Sequence, residues 1–320
     1  MGKYLVTGPD GFVGTKLCSR LLQDGFSVRG AQFAPAPLPA GCESVVVGDL
    51  AEATNWDVAL SGVDRVVHLA ARVHIMNDDS ADPLEAFRRV NVEGTRALAE
   101  AAVRAGVQRF VFISTVKVLG EATPDRPFTA DDIPSPEDPY GNSKLEAEKL
   151  LTRLSHESGM EVTIVRPPLV YGPGVCANFL KLLTVVNKGI PLPFGLVKNR
   201  RSLVGVDNLV DFLACSLTHE RAANETFLVS DGHDLSTADL VRAIARATGR
   251  RPMLLPVPPA LMKLAGSLLG KRAEVDRLCG SLALDISKGR KLLGWTPPVS
   301  VEDGLRETME WFLKEKSSNH

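Results

Sequence analysis

Thr7-Gly8-Pro9-Asp10-Gly11-Phe12-Val13-Gly14 stands between an apolar run, Tyr4–Thr7, and a helical pattern, Gly14–Gln23. A strand that enters a helix through a glycine-rich turn has one well-understood use. The glycines let the backbone curl tightly and come close to a pyrophosphate. The helix start then offers unpaired N–H groups and a favourable dipole to the negative charge. A glycine pattern alone is weak evidence, but its place between strand and helix, within the first fifteen residues, makes it specific. Gly8, Gly11, Phe12, Val13 and Gly14 are therefore expected to form a dinucleotide-binding turn.

The rest of the chain agrees with that start. Ser27–Phe33, Ser44–Val47, Arg65–Leu69, Arg109–Ser114 and Val162–Val165 read as further strands. They are rich in Val, Ile and Phe without strict alternation, as suits strands of a parallel sheet covered on both faces. Helical patterns at Leu84–Ala105 and Tyr140–Ser158 lie between them. Gly25 and Gly106 sit where helices should stop. Alternating β and α units predict an α/β fold, a Rossmann-type doubly wound parallel sheet. After about Val170 proline and glycine become frequent, and helical patterns recur at Thr237–Thr248, Pro259–Leu269, Ile286–Leu293 and Val301–Lys316. The expected organisation is a dinucleotide-binding domain over 1–170 and a smaller, mostly helical substrate lobe over 171–320, with parts of the chain free to cross back. Lys316–His320 read as a frayed end.

Composition excludes other classes. A net charge of −1 gives no basic field for nucleic acid or a membrane surface. No apolar run is long enough to span a bilayer, and Met1–Val6 runs straight into the first strand with no signal-peptide pattern. The five cysteines have no CxxC pairing, which fits a reducing cytoplasm and argues against a structural metal.

Three segments add to the cofactor reading. Gly48-Asp49-Leu50 follows the third strand, where a carboxylate can accept from an adenine amino group. His68-Leu69-Ala70-Ala71 ends the fourth strand with small residues, so a ligand can lie against the backbone. Asn91 lies on the long helical pattern, where a buried amide could tie neighbouring segments together or touch the cofactor. The carboxylate that selects NAD should end the second strand, roughly 20 residues past the turn. Gln32 stands there instead, so NAD and NADP both remain open.

Tyr140-Gly141-Asn142-Ser143-Lys144 opens a helix, and its Tyr and Lys share a face at i and i+4. A nearby ammonium should lower the phenol's pKa from about 10 and make it an acid/base for a carbinol or carbonyl oxygen. The lysine can also bond the cofactor ribose. The fifth strand runs into Ser114-Thr115, whose hydroxyls can hold the reacting oxygen; Thr115 is the first choice and Ser114 the second.

Together these residues resemble the extended short-chain dehydrogenase/reductases, in their UDP-hexose 4-epimerase branch. The resemblance covers essentially the whole chain. It rests on TGxxGFxG at Thr7–Gly14, HLAA at His68–Ala71, NVxGT at Asn91–Thr95, YxxxK at Tyr140–Lys144 and RPPxVYGPG at Arg166–Gly174. It implies a catalytic triad of Thr115, Tyr140 and Lys144, with Leu69, Ala70, Ala71, Ser114 and Pro167 among the cofactor contacts. It also implies a UDP-sugar substrate and a homodimer formed through the two long helices. Asn178 and Arg201 match the family's diphosphate-contacting residues. Arg277 is the choice for a second phosphate arginine, with Arg272 the alternative, and Lys117 for a substrate contact. Asp207 is expected to orient neighbours.

Family 4,6-dehydratases carry Asp-Glu immediately after the threonine. Val116-Lys117 stand here, and so water elimination is not expected. The Val116–Glu121 segment resembles O-antigen enzymes that reduce a UDP-4-keto-6-deoxy-N-acetylhexosamine to UDP-N-acetylquinovosamine. The first expectation is therefore a 4-ketoreductase. A UDP-glucose or UDP-N-acetylglucosamine 4-epimerase is the alternative, and a non-catalytic dinucleotide sensor on the same fold a remote one.

Overall fold

In a computed structural model, residues 2–50, 54–73 and 82–318 are described. Seven strands form one parallel sheet: β1 (Lys3–Thr7), β2 (Ser27–Gln32), β3 (Glu43–Val46), β4 (Arg65–His68), β5 (Arg109–Ile113), β6 (Glu161–Arg166) and, later in the chain, β9 (Thr226–Leu228). A separate two-stranded sheet pairs β7 (Leu169–Tyr171) with β8 (Leu203–Gly205). The large sheet runs β3-β2-β1-β4-β5-β6-β9, and the strand order reverses between β1 and β4. That reversal leaves a crevice at the carboxyl ends of the strands, where dinucleotides bind in such sheets.

The helices are α1 (Phe12–Gln23), α2 (Asp57–Leu60), α3 (Pro83–Arg88), α4 (Thr95–Arg104), α5 (Pro139–Ser158), α6 (Ala177–Asn187), α7 (Val206–Thr218), α8 (Thr237–Ala247), α9 (Pro259–Leu268), α10 (Arg272–Cys279), α11 (Ser287–Leu293) and α12 (Val301–Ser318). α1 and α7 pack one face of the sheet through Leu17, Leu21, Leu209 and Leu213. α4 and α5 cover the other through Leu98, Ala102, Ala147 and Leu151. A third core joins α6, α8 and α12 through Phe179, Leu183, Val241, Ile244 and Met309. The doubly wound sheet and helical lobe are as expected from the sequence.

Two features differ from the sequence reading. The single helix expected over Leu84–Ala105 is broken: α3 passes into a π-helical turn, Arg89–Gly94, before α4. Gly94 explains the tight path, because a β-carbon there would lie 2.9 Å from the Leu50 carbonyl oxygen. Second, β7, β8 and β9 are only three residues each, too short for a hydrophobic period to reveal. As the sequence reading allowed, part of the chain beyond 170 crosses back: β9 pairs with β6 and α7 packs on α1. At the C-terminus, Lys316–Ser318 belong to α12 rather than to a frayed end, while Asn319, His320 and Met1 lie outside the described residues.

Candidate active site

The glycine turn is drawn together by its own backbone. The Gly8 amide donates to the Ala31 carbonyl on β2 (3.2 Å), and the Gly11 amide donates back to the Gly8 carbonyl (3.2 Å). Gly8 adopts φ +66°, a left-handed conformation that glycine takes without strain. A β-carbon on Gly14 would lie 2.0 Å from the Gly8 oxygen. Only glycine permits this approach of helix to turn. Val13 and Phe12 pack inward on the sheet core, and Phe12 also reaches Gly174 in the Gly-Pro-Gly loop. Phe12 thus fastens the turn to the lobe.

Thr7, at the end of β1, ties the turn to β4. Its hydroxyl accepts from the Leu69 and Ala70 amides (3.1 Å each) and therefore donates to His68 Nδ1 (2.7 Å). This assigns the imidazole proton to Nε2, which donates to Thr95 (3.0 Å), and Thr95 donates in turn to the Asn91 carbonyl (2.7 Å). Burial holds His68 far below its ordinary pKa, at about 3, and the nearby Lys144 charge adds to the effect. His68 is thus a neutral strut between β1, β4 and α4. Neither its role nor that of Thr7 was anticipated from the sequence, because each depends on a partner at least 27 residues away.

A testable consequence follows. His68 binds a proton in the unfolded chain below its ordinary value of 6.5 but not in the folded chain above about 3. Stability is therefore intact above 6.5 and falls with pH between these values, by up to about 1.4 kcal/mol per pH unit. Denaturant unfolding at pH 6.5 and 5 should show about 2 kcal/mol more loss in the native chain than in His68→Gln. Equal losses in the two would show that His68 is not held neutral.

Asn91, in the π-helical turn, is fully engaged in structure. Its Oδ1 accepts from the Arg72 amide (2.8 Å), and its Nδ2 donates to the Arg72 carbonyl and to Ser143 Oγ (3.0 Å each). Ser143 donates to the Tyr140 carbonyl (2.8 Å). Asn91 therefore clamps the loop after β4 to the first turn of α5, between the two residues expected to carry the chemistry. Of the two roles weighed for Asn91, the tie between segments is the one its contacts fill.

The first turn of α5 is built by Asp138. Its carboxylate caps the helix by accepting from the Gly141 amide (2.6 Å), and Pro139 follows at the first helical position. The same carboxylate holds Lys117 Nζ at 2.5 Å, and Glu121 holds it at 2.7 Å. Lys117 is thus committed to two carboxylates. It joins the loop after β5 to the turn that carries Tyr140, and its contacts do not favour the substrate role expected for it. Thr115 caps the short 3₁₀ turn Val116–Val118, accepting from the Lys117 amide (3.3 Å). The Val116 amide donates to the Pro167 carbonyl (2.9 Å), which places Pro167 beside the threonine.

Tyr140 leans on Phe87 with ring centroids 5.9 Å apart. Burial, with the Asp138 charge, pushes its hydroxyl up to about 12. Lys144 is almost wholly buried, with Nζ 4.0 Å from the centre of the Phe112 ring, and burial pulls it down to about 7. The expectation that Lys144 lowers the Tyr140 pKa does not hold in this state. Desolvation of the phenol and the Asp138 charge both raise it.

The remaining expected residues fall into two groups. Leu69, Ala70 and Ala71 follow β4 at its exit, and Leu50, one residue past Asp49, packs on the core against Gly94. Gln32 is buried at the end of β2, and its amide is spent within the protein: Nε2 donates to the Ala36 carbonyl (3.0 Å) and Oε1 accepts from Ser44 (2.6 Å). On the lobe side, Asn178 is exposed in the first turn of α6, just after Ala177 at φ 54°. Arg201 donates to the Arg277 carbonyl (2.7 Å) and the Gly280 carbonyl (3.2 Å), which brings the two expected phosphate arginines side by side. Arg277 is exposed on α10. Asp207 pairs with Lys16 of α1 (2.7 Å), a link between helices.

Do these residues suit a dinucleotide? Two observations say so. Gly8 and Gly14 make a cradle that a β-carbon would fill. Ser114 Oγ, beside Thr115, is buried with no hydrogen-bond partner, a costly state unless a ligand supplies one. Residues 4–230 match the NAD dependent epimerase/dehydratase family. The chain belongs to that family. It is 48% identical to a UDP-glucose 4-epimerase of Vibrio cholerae, over 97% of this chain and 95% of the other. Solved structures agree. MoeE5 in complex with UDP-glucuronic acid and NAD superimposes with a TM-score of 0.80 at 27% identity, covering 98% of this chain and all of that one. A UDP-glucose 4-epimerase of Thermotoga maritima with UDP-glucose gives 0.79 at 25%, covering 98% and 99%. The protein is thus an enzyme of an NAD-dependent nucleotide-sugar family with a Rossmann-type sheet. Among the described residues no helix is long and apolar enough to cross a membrane, and no group of side chains could hold a metal ion.

Proposed function

We propose that this enzyme inverts C4 of a UDP-hexose, as a 4-epimerase. The observation that carries the reading is the whole-length similarity to a UDP-glucose 4-epimerase; Thr115 follows β5, and Lys144, one turn after Tyr140 on α5, lies over Phe112 of β5, which supports it. The glycine turn with Gly8, Gly11 and Gly14 would hold the dinucleotide pyrophosphate, and Ser114 and Lys144 would meet its nicotinamide half. The bound nicotinamide supplies a reversible hydride acceptor. Tyr140, once ionised, would take the proton of the C4 hydroxyl as hydride leaves C4, and would give it back as hydride returns to the other face of the turned 4-keto sugar. Thr115 hydrogen-bonds the same oxygen and holds it against the phenol. Asn178, Arg201 and Arg277 fix the diphosphate, so that only the hexose moves.

A second reading has one observation in its favour. The end of β2 offers Gln32, already spent on Ala36 and Ser44, where a carboxylate would grip the adenosine ribose. A cofactor held less firmly suits a 4-ketoreductase, which must exchange its dinucleotide at every turnover. Absorbance separates the two. An epimerase converts UDP-glucose to UDP-galactose, or the N-acetylated pair, with no net change at 340 nm. A reductase instead consumes NADH or NADPH stoichiometrically with a UDP-4-ketohexose. No epimer formed from either pair, with stoichiometric loss of absorbance on the keto sugar, would replace the first reading by the second. A homodimer through α4 and α5 belongs to the same proposal, on the family resemblance.

A further inference from the structure

α9 is a helix whose solvent side is apolar. Leu261, Leu264, Ala265 and Leu268 are all exposed, and their spacing of i, i+3, i+4 and i+7 puts them in one stripe. Leu268 is 80% exposed and Leu269, just beyond the helix, 74%. The inward side is occupied instead by Met262 and Gly266, and a β-carbon on Gly266 would lie 2.7 Å from Val275 of α10. The stripe is therefore not a misplaced core face. The helix has two apolar sides, one spent on α10 and one facing out. Met253 and Leu255 extend the outward surface along the segment that leads into α9.

The charges around this surface have one sign in excess. Residues 249–280 contain six Lys or Arg and two Asp or Glu, in a chain whose net charge is −1. Both acids are on α10, and Asp276 already engages Lys263 and Arg272. Arg250, Arg251 and Lys271 are exposed in the segments that enter and leave α9. A second copy of the chain docked symmetrically on this stripe would set these cations against themselves. An anionic lipid surface would complement them while burying the leucines. A ten-residue helix is too short to cross a bilayer and suits a position in the interfacial plane.

We propose that the α9–α10 hairpin docks this enzyme on a membrane surface rich in anionic phospholipid. The net charge of the whole chain conceals the site, because acids elsewhere cancel a local excess. Arg277 of α10 stands next to Arg201, so docking brings the sugar-nucleotide side of the enzyme close to the headgroups.

The test is co-sedimentation of the full chain with vesicles of phosphatidylcholine alone or with one third phosphatidylglycerol. Binding is expected to the mixed vesicles at low salt and to weaken steeply as salt is raised. Leu264→Glu/Leu268→Glu should lower that binding at least about tenfold. Turnover of soluble substrate should be unchanged, because neither leucine touches the active site. Arg250→Gln/Arg251→Gln/Lys271→Gln should remove the preference for the anionic lipid. Absence of binding to the mixed vesicles at low salt would overturn the proposal. So would equal binding by the leucine variant, or a leucine variant whose only change is a smaller oligomer in light scattering, which would assign the stripe to a second copy.

Discussion

Tyr140→Phe should reduce kcat by about 10²–10⁴-fold and leave dinucleotide affinity within about twofold. The change removes one oxygen and keeps the ring, so the contact with Phe87 and the start of α5 survive. Stability should change little, because the buried ring and its packing are kept and the hydroxyl is neutral near pH 7 whether the chain is folded or not. Turnover and isothermal titration with NAD measure the two halves separately. The raised value makes the test sharper. In the free protein the phenol is overwhelmingly protonated near neutrality, and Lys144, pulled down to about 7, is only partly charged. Proton removal from substrate therefore needs the site to be rearranged electrostatically when ligands bind, and the variant leaves no phenolic oxygen to take that proton. Turnover within a few-fold of the native enzyme would refute the assignment of Tyr140 as the acid/base.

Gly14→Ala should weaken dinucleotide binding by at least about 100-fold and destabilise the fold by about 2–4 kcal/mol. The added carbon would stand 2.0 Å from the Gly8 oxygen and 2.9 Å from Pro9 Cα. These are backbone atoms. They cannot swing aside as a side chain would, and moving them opens the turn that aims the N–H groups of α1. Gly11→Ala is the natural control. Gly11 has φ −77°, an ordinary value, and its nearest obstacle is the same Gly8 oxygen at 3.3 Å. Thermal unfolding should separate the two variants clearly, with Gly11→Ala near the native midpoint. Similar midpoints for both would mean that the helix does not depend on the close approach at Gly14.

The fold was readable because its decisive signals are local. The turn at Thr7–Gly14, the apolar strands and the Tyr140–Lys144 spacing each fall within one element. What escaped is non-local. β9 is three residues long and finds β6 about sixty residues away, and no periodicity could announce it. The π-helical turn at Arg89–Gly94 ends where Gly94 passes against Leu50, a contact made across the fold. Lys117 looked like a substrate contact because its two carboxylates, Glu121 and Asp138, meet only when the β5 exit packs on α5. The expected fall of the Tyr140 pKa failed for a related reason. Spacing shows that two groups are neighbours, but burial decides which charge each can bear.

By itself the sequence determined the parallel α/β architecture, the glycine turn and the spacing of the residues proposed for proton transfer, since these follow from backbone geometry and spacing along one helix or strand. Tertiary structure alone decided which of those side chains are free to act. Asn91, Gln32 and Lys117 are tied to the protein while the Ser114 hydroxyl has no partner, and a row of leucines on α9 faces solvent. The physical reason is that hydrogen-bond saturation and desolvation belong to an environment assembled from distant segments, and no residue type carries that environment with it.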